Sequence, residues 1–391
     1  MLFAPPLLAD DWPQFRGIHR DGRSAEAIAH EWPAEGPPVL WRAAIGDGYS
    51  SVTIVGGRLF TQWGDGDHEW AGAFEGRTGE KIWETRLGTY RADSQGGGPR
   101  STPAVDRGRV FVLGAQGRLD ALDAAAGRVL WTRDLREDFG ARVPDWGVST
   151  SPLLEGGLVV LDVGGKRGYA HVALDPATGE VRWHSGSDDP AYSSPIAVTL
   201  HGERQVVFLG AGGLSGVDAA SGERRWSAPW KTDFDVNAAT PIFVPQSGFF
   251  VSSGYGVGSA LFQVAKDGEK LEASRLWHST TMRNHFGTSV LLGYAVYGFD
   301  ERFLTSIDVL NGLVRWQARG YGKGTLIAAD GHLLVLSDRG ALALIDAGVP
   351  ELREKGKAQV LNGRCWTAPS LADGVLYLRN QRELVAARVG R

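Results

Sequence analysis

The sequence predicts an all-β fold, a single eight-bladed β-propeller built from four-stranded antiparallel blades. Three observations predict it. A turn and a strand that ends in tryptophan recur along the chain, a second short sequence motif marks the start of eight units, and each unit contains four β-rich runs. Four-stranded units of about 40–50 residues are the size of propeller blades. Glycine, at 54 of 391 residues, is abundant enough for the many tight turns of such a fold.

The first phrase is a turn glycine followed four residues later by tryptophan. Clear copies end at Trp83, Trp131, Trp183, Trp226 and Trp316, and looser copies end at Trp41 and Trp277. Successive copies are 39 to 52 residues apart, which indicates a repeated structural unit. A large ring with one N–H donor can pack between neighbouring blades and donate to a backbone carbonyl. We therefore interpret these tryptophans as packing residues rather than cofactor contacts.

An acidic residue precedes the turn glycine in five of the units, namely Glu75, Asp123, Asp175, Asp218 and Asp308. A carboxylate at this place can accept hydrogen bonds from the backbone N–H groups of a tight turn. The repeated acid is therefore predicted to be structural.

The second phrase is a small hydroxyl residue, often followed by proline, just before a β-rich run. It occurs at Ser51, Thr102, Ser151, Ser194, Thr240, Ser289, Thr325 and, weakened, at Ala368. In the first unit the β-rich runs cover 52–55, 58–62, 70–74 and 81–86, separated by glycine- and aspartate-containing turns. This pattern predicts four short strands joined by hairpins.

The two ends of the chain predict how the ring closes. The last unit has runs near 366–371, 375–379 and 384–389, and the chain ends without a fourth, tryptophan-containing run. A surplus run of that kind, at 39–44, precedes the first complete unit. The N-terminal strand is therefore expected to complete the eighth blade and cover its edge.

Composition and charge restrict the domain organisation and the partners. Residues 1–10 are interpreted as a residual signal-like or disordered N-terminus, and residues 11–391 as one propeller domain. The net charge of −4 gives no excess of basic residues of the kind that binds nucleic acid. The single cysteine excludes an intrachain disulfide. No stretch reaches the ~18 apolar residues of a transmembrane segment. The predicted location is periplasmic or secreted.

The opening phrase AspTrpProGlnPheArgGlyIleHisArgAspGly, at 11–22, resembles that of bacterial PQQ-like (pyrroloquinoline quinone) β-propeller repeat proteins. The segments at 284–290, 322–327 and 365–370 resemble phrases of the same group. The resemblance implies a repeat fold shared with quinoprotein dehydrogenases, which hold PQQ with Ca²⁺, and with the outer-membrane assembly propeller lipoprotein, whose blades are noncatalytic. The sequence lacks the vicinal cysteines and CxxCH motif of the former and the lipid-anchored cysteine of the latter.

The segment AspGlyAspHisGlu at 65–69 carries three carboxylates and a histidine, which could suit a metal ion. It falls at a predicted hairpin tip, so we interpret it as a solvated turn, and no metal site is predicted.

Three functions are compatible with these patterns. The favoured one is a noncatalytic binding or scaffold module with a small-molecule ligand (sugar or quinone-like) or a protein partner at the funnel mouth. The alternatives are a quinoprotein-type alcohol or sugar oxidoreductase using PQQ and Ca²⁺, and a carbohydrate-active hydrolase or lyase. No cofactor is required by the first.

The candidate ligand-binding residues lie in the loops that lead into the first strand of each unit, here called the leading loops. They are Tyr49, Arg100, Trp146, Tyr192, Asn237, Asn284, His285, Lys323 and Trp366. Aromatic faces with a few polar groups are typical of small-ligand pockets. Arg100 and Lys323 would suit an anionic group, and His285 is the best candidate for proton transfer. The competing interpretation is that these are variable loop residues in a solvated funnel.

Overall fold

The computed structural model describes residues 11–391, so the prediction for residues 1–10 lies outside the described residues. The fold is all-β and consists of eight four-stranded antiparallel blades, an eight-bladed β-propeller, as the sequence predicted. The described chain divides into two compact units. Unit 1 comprises residues 11–133, 145–152 and 324–391, and unit 2 comprises residues 134–144 and 153–323. That residues 11–391 behave as a single domain stays a prediction.

The described chain begins with two strands, β1 (Arg23–Ser24) and β2 (Val39–Ala44). Blade 1 contains β3 (Thr53–Val55), β4 (Arg58–Gly64), β5 (His68–Glu75) and β6 (Lys81–Thr89). A small ribbon follows, formed by β7 (Ala92–Asp93) and β8 (Gly96–Gly97). Blade 2 contains β9 (Ala104–Asp106), β10 (Arg109–Leu113), β11 (Arg118–Asp123) and β12 (Val129–Asp134).

Unit 2 contains helix α1 (Leu135–Phe139), a 3-10 turn (Asp233–Asp235) and blades 3 to 6. Blade 3 contains β13 (Leu153–Glu155), β14 (Leu158–Asp162), β15 (His171–Leu174) and β16 (Val181–Ser185). Blade 4 contains β17 (Ile196–Leu200), β18 (Glu203–Gly210), β19 (Gly213–Asp218) and β20 (Arg224–Pro229). Blade 5 contains β21 (Ile242–Val244), β22 (Gly248–Ser253), β23 (Gly258–Asp267) and β24 (Lys270–Ser279). Blade 6 contains β25 (Val290–Leu292), β26 (Ala295–Asp300), β27 (Phe303–Asp308) and β28 (Val314–Ala318).

The remaining blades return to unit 1. Blade 7 contains β29 (Thr325–Ala329), β30 (His332–Leu336), β31 (Ala341–Asp346) and β32 (Glu354–Gln359). Blade 8 contains β33 (Ser370–Ala372), β34 (Val375–Arg379), β35 (Glu383–Arg388) and β2. All eight predicted unit starts lie within two residues of a first strand. The run predicted at 366–371 is displaced, because Pro369 ends the leading loop and the strand begins only at Ser370.

Closure by the N-terminal strand is confirmed. Strand β2 pairs antiparallel with β35, with Trp41 opposite Ala386 and Ala44 opposite Glu383. The N-terminal strand therefore covers the edge of the last blade, which would otherwise present unpaired backbone groups.

Repeated tryptophans dock neighbouring blades on one another within each compact unit. Four of them donate through Nε1 to a backbone carbonyl in the following blade, over distances of 2.8 to 3.1 Å: Trp41 to Gly76, Trp83 to Ala124, Trp183 to Ala219 and Trp277 to Val309. The same rings lie on the turn glycines Gly79, Gly127, Gly222 and Gly312, where an added Cβ would approach a ring atom within 2.4 to 2.9 Å. These glycines have φ between 71° and 74°, which other residues rarely adopt. The repeat therefore pairs a tryptophan with the glycine of its neighbour.

The other two repeated features also have a structural cause. The backbone N–H of Ser51 donates to the Thr102 hydroxyl (3.1 Å), and that of Thr102 to the Ser151 hydroxyl (3.0 Å). Hydroxyls at the unit starts thus satisfy the backbone of the preceding blade. The repeated aspartates accept the expected turn hydrogen bonds from Ala125 and Ala126, Ala177 and Thr178, Ala220 and Ser221, and Leu310.

The opening segment does more than the sequence indicated, because it crosses the first strands of three blades in unit 1. Trp12 forms a bridge with Ile54 of blade 1, and Pro13 accepts a hydrogen bond (2.8 Å) from Val105 of blade 2. Strand β1 pairs in parallel with β29 of blade 7. The buried Arg20 donates to the carbonyls of Ser151 and Pro152 at 3.0 and 2.7 Å. The segment therefore acts as a strap across these strands.

Candidate functional site

Five of the nine candidate residues fall into two groups, each within one compact unit. The first, here called the histidine cluster, consists of His285, Glu301, Lys323 and Tyr255 in unit 2. The second, the aromatic cluster, consists of Tyr49, Trp366, Arg364, Arg100 and Gln381 in unit 1.

Three residues of the histidine cluster come from three different loops, and the fourth, Tyr255, lies in the turn between β22 and β23. His285 lies in the loop before β25, Glu301 in the turn between β26 and β27, and Lys323 in the loop after β28. The Nε2 atom of His285 is 2.8 Å from both carboxylate oxygens of Glu301. The Nζ atom of Lys323 is 2.8 Å from Glu301 Oε2 and 3.1 Å from His285 Nε2. The sequence reasoning found two of these three residues and missed Glu301.

The surrounding backbone holds the imidazole in place. Glu301 and Tyr255 have φ of 54° and 56°, which is uncommon for residues other than glycine and often marks a functional loop. The Tyr255 ring centroid lies 5.0 Å from that of His285. At Gly254 an added Cβ would approach the His285 ring within 3.0 Å. Glycine at this position therefore allows the ring to pack against the turn.

The charges of the cluster are balanced internally. Burial opposes ionisation of Glu301, but hydrogen bonds from Lys323 and His285 outweigh it and lower the pKa of that carboxyl. Burial and the Glu301 charge raise the pKa of Tyr255. The Nδ1 atom of His285 has no hydrogen-bond partner among residues 11–391. A carboxylate that orients one imidazole nitrogen leaves the other able to exchange a proton or a hydrogen bond with a ligand.

The aromatic cluster surrounds a tyrosine. Tyr49 stacks on Trp366, with ring centroids 5.6 Å apart, and its hydroxyl donates to the Gln95 carbonyl (2.6 Å). The same hydroxyl accepts hydrogen bonds from Arg364 and Gln381. Arg364 is exposed and lies over the Trp366 ring at 4.4 Å, a cation–π contact. The sequence did not lead us to Arg364, although its position two residues before the candidate Trp366 could have indicated it.

Arg100 has internal partners that account for much of its side chain. Its Nη2 atom is 2.8 Å from Asp93 Oδ2 and also donates to the Gly96 carbonyl, whereas its Nη1 atom donates to the Gly98 carbonyl. The ribbon of β7 and β8 is held in this way. An anion-binding role for Arg100 stays a prediction, and any anion would compete with Asp93.

The two candidate asparagines are buried and support the loops. Asn237 donates to the carbonyls of Gly210 and Trp230 and accepts from Ser253. Asn284 donates to the Phe299 carbonyl and accepts from Ser289. Such fully enclosed amides position neighbouring residues rather than offer their own groups to a ligand.

The last two candidates, Tyr192 and Trp146, also lie in leading loops. Tyr192 is buried and donates through its backbone N–H to Asn237 (3.0 Å), and Trp146 is half-buried. A ligand-binding role for each of them stays a prediction.

The acidic segment at 65–69 is only partly a solvated turn. Asp65 accepts from the backbone of His68 and Asp67 and from Trp70 Nε1, which lowers its pKa to about 2. Glu69, in contrast, is 2% exposed and lies in β5. The interpretation of a solvated turn is wrong for Glu69, because its strand directs the side chain against Ala115 in blade 2.

The fold and these contacts define a class, the β-propeller repeat proteins in which tryptophan–glycine pairs dock successive blades. The chain belongs to the family described as outer membrane protein assembly factor BamB, whose sequence profile matches residues 67–318. The resemblance to PQQ-like repeat proteins is thereby confirmed.

Individual relatives agree with this assignment. BamB of Shewanella oneidensis is 23% identical over 277 residues, covering 68% of this chain and 68% of that protein. The crystal structure of BamB from Moraxella catarrhalis has a TM-score of 0.63 at 15% identity and covers 90% of this chain and 99% of that one. Quinohemoprotein alcohol dehydrogenase from Comamonas testosteroni has a TM-score of 0.67 at 13% identity and covers 98% of this chain and 81% of that one. The two structural likenesses show the fold alone.

The described residues do not fit PQQ with Ca²⁺. Within residues 11–391 no group of three or more His, Cys, Asp or Glu side chains could hold a metal ion. The two cations predicted for an anionic ligand, Arg100 and Lys323, are already paired with Asp93 and Glu301. Cys365, the single cysteine, is buried. Among the same residues, no helix is long and apolar enough to cross a membrane.

Proposed function

We propose that this chain is a noncatalytic binding module of the periplasm that takes part in outer-membrane protein assembly, as the names of its BamB relatives state for those proteins. Its partner site is on the leading loops. The observation that carries the proposal is that two kinds of residue have different contacts: the repeated tryptophans, glycines and hydroxyls hold blades together, whereas the side chains of the histidine cluster pair with one another outside these repeated features.

The histidine cluster suits recognition of a polar partner group. The side chains of His285, Glu301 and Lys323 are between 20% and 28% exposed, so they are ordered by each other and still reachable. Partly buried charges give specificity, because a partner that leaves them unpaired suffers a desolvation penalty. In unit 1, Arg364 and Trp366 of the aromatic cluster form a pair of the arginine and aromatic type that binding hot spots favour.

A binding assay tests the site directly. The probe is a purified, unfolded β-barrel outer-membrane protein, and its binding to the full chain is measured by fluorescence anisotropy. We expect Lys323→Ala, His285→Ala and Trp366→Ala to weaken binding by roughly tenfold each, as single hot-spot truncations do. Arg100→Ala is measured as a fourth leading-loop variant. The control is Leu276→Ala, which changes an exposed side chain on the outer strand of a blade. If the four leading-loop variants bind normally and the outer-strand change abolishes binding, the site is elsewhere.

Catalysis is tested separately with PQQ. The purified chain is incubated with PQQ and Ca²⁺, its ultraviolet–visible spectrum is recorded, and dye-linked turnover is assayed on alcohols and sugars. We expect neither saturable binding nor turnover. Saturable binding with turnover would replace the scaffold proposal by the oxidoreductase alternative.

A further inference from the structure

Unit 2 exposes a group of apolar side chains in and beside two neighbouring turns of blade 6. Tyr294 is 62% exposed, Leu310 48%, Leu313 66% and Val314 42%. Tyr294 lies in the turn between β25 and β26, and the two leucines lie in the turn between β27 and β28. The turns touch, because the backbone N–H of Val309 donates to the Tyr294 carbonyl at 2.9 Å. These four residues are called the blade 6 patch.

The other blades show that the fold does not require these residues. In each equivalent turn, the backbone N–H of the repeated acidic residue donates to the carbonyl of the residue five positions later. In blade 6 that later residue is Leu313. In the other blades with such a turn it is charged, namely Glu80, Arg128, Glu180 or Glu223. The position of Leu310 is occupied by Arg77, Ala125, Ala177 or Ala220. The position of Tyr294 is glycine in all six other two-residue turns: Gly57, Gly108, Gly157, Gly202, Gly331 and Gly374. Blade 6 thus differs from the other blades at three turn positions, and at each of them it has a large apolar side chain.

The size and shape of the patch indicate its occupant. The four side chains expose on the order of 400 Å², within the range of the functional patches on monomers. That is about half of the ~800 Å² per partner in a stable protein complex, which makes a second copy of the chain a poor fit. The patch lies in and beside turns between strands. Apolar side chains on such turns can enter the headgroup–acyl boundary of a lipid bilayer, which deforms around them.

The backbone and the charges of the turn are compatible with lipid. The N–H of Leu310 donates to Asp308 Oδ1 and that of Leu313 to Asn311 Oδ1, both at 2.9 Å. Turns whose polar groups are internally bonded can enter the membrane interface at lower cost. The nearest cation, Arg315, is 2.6 Å from Asp308, so the turn carries no net charge. Leucine and tyrosine are residues that anchor proteins at the membrane interface.

We propose that the blade 6 patch contacts a lipid bilayer, with the leucines and Val314 entering the headgroup–acyl boundary and Tyr294 at the headgroup level. The patch lies at the opposite end of the blade 6 strands from the histidine cluster, because strands β25 and β27 both run toward it. A chain docked in this way leaves the leading loops of blade 6 directed away from the membrane. The inference goes beyond the proposed function and does not depend on it.

The test uses a variant that gives blade 6 the residues of the other turns, Tyr294→Gly with Leu310→Ala and Leu313→Glu. Because these residues occur in the same turns of folded blades, we expect the thermal stability of the variant to match that of the original chain. The full chain and the variant are sedimented with vesicles of phosphatidylcholine or of phosphatidylglycerol. We expect the original chain to bind both kinds, with little salt dependence, and the variant to bind at least about tenfold less.

Two further variants sharpen the result. Ala220→Leu with Glu223→Leu, placed in blade 4 of the binding-deficient variant, should restore part of the vesicle binding. Leu130→Glu, at an exposed apolar position on β12 of blade 2, should leave vesicle binding unchanged.

Three outcomes would overturn the proposal. The first is an original chain that does not sediment with either vesicle, and the second is a triple variant that binds as well as the original. The third is self-association or binding of an unfolded β-barrel protein that the triple variant loses while vesicle binding is absent, which would make the patch a protein interface.

Discussion

At the scale of single residues, Glu69 is the side chain whose surroundings differ most from what its sequence position indicates. Its carboxylate is buried between blades 1 and 2 and accepts a hydrogen bond from the backbone N–H of Ala115. Burial raises the pKa of Glu69 to about 7, although the hydrogen bond from Ala115 and the charge of Arg100 oppose the rise. The folded chain therefore holds a proton on Glu69 at pH values where the unfolded chain has released it.

This difference predicts that stability falls as the pH rises. Below a pH of about 4.5 Glu69 is protonated in both states, and between about 4.5 and 7 only the folded state keeps the proton, so the stabilisation is lost over that window. We expect the free energy of unfolding to decrease by roughly 3 kcal/mol across it on account of this group. Urea unfolding at a series of pH values measures it. Glu69→Gln should flatten the curve, whereas Glu80→Gln, at an exposed turn, should not; equal curves for all three proteins would contradict the assignment.

The tryptophan–glycine pairs also act at the residue scale. Trp183 packs on Gly222 of the next blade, so Trp183→Ala should lower the free energy of unfolding by about 3–5 kcal/mol, the usual loss for a large buried aromatic. Trp226→Ala should lower the free energy of unfolding by about the same amount, although the Nε1 atom of Trp226 donates to Gln205 of its own blade. Denaturant unfolding compares the two, and wild-type stability in Trp183→Ala would refute the docking role.

Glycine variants separate backbone strain from loss of ring contact. Gly222 and Gly57 have φ of 73° and 74°, but only at Gly222 would an added Cβ meet a ring, 2.4 Å away. Gly57→Ala should therefore cost on the order of 1 kcal/mol, the penalty of a left-handed residue, and Gly222→Ala clearly more. Similar losses at both positions would mean that the ring contact contributes little. The measurement is again the free energy of unfolding in urea.

At the scale of elements, the N-terminal strand and the strap before it both attach the start of the chain to later blades. Strand β2 pairs along β35, and the strap reaches blades 1, 2 and 7. The pairings of β2 with β35 and of β1 with β29 join residues more than 300 positions apart, so they form only when the last two blades are present.

Removal of β2 should expose a sheet edge. We expect a chain truncated through Arg42 to aggregate, because β35 then has unpaired backbone groups along its outer side. Light scattering and size-exclusion chromatography detect this. A synthetic peptide covering 37–46 should restore the monomer when it is added during refolding. A truncated chain that remains monomeric with an unchanged melting temperature would contradict closure by β2.

At the scale of the whole molecule, the chain order links the two compact units. Unit 2 is inserted within unit 1, so unit 1 contains both the first and the last described blades. Because the chain passes from one unit to the other four times, we expect residues 11–391 to unfold in one cooperative calorimetric transition with equal calorimetric and van't Hoff enthalpies. Two separated transitions would show that the units are independent domains.

The sequence by itself determined the number of blades, their starts, the role of the tryptophans and the closing strand. The first three depend on a local turn or on a contact with the next repeat, such as Trp183 with Gly222, and therefore recur with the period of the blades. The closing strand could be predicted because the last repeat lacks a fourth strand and a surplus strand precedes the first repeat. The same reasoning failed for Glu69, whose burial depends on the neighbouring blade rather than on its own hairpin.

Only the tertiary structure decided which side chains pair with the candidate residues of the leading loops. Glu301 pairs with His285 and Lys323, Asp93 pairs with Arg100, and Arg364 reaches Tyr49 across more than 300 residues. None of these contacts repeats from blade to blade, so no period in the sequence announces them. The path of each loop decides which side chains come close enough to pair. Partly buried charged groups then pair with one another, and this pairing decides which groups remain available to a ligand.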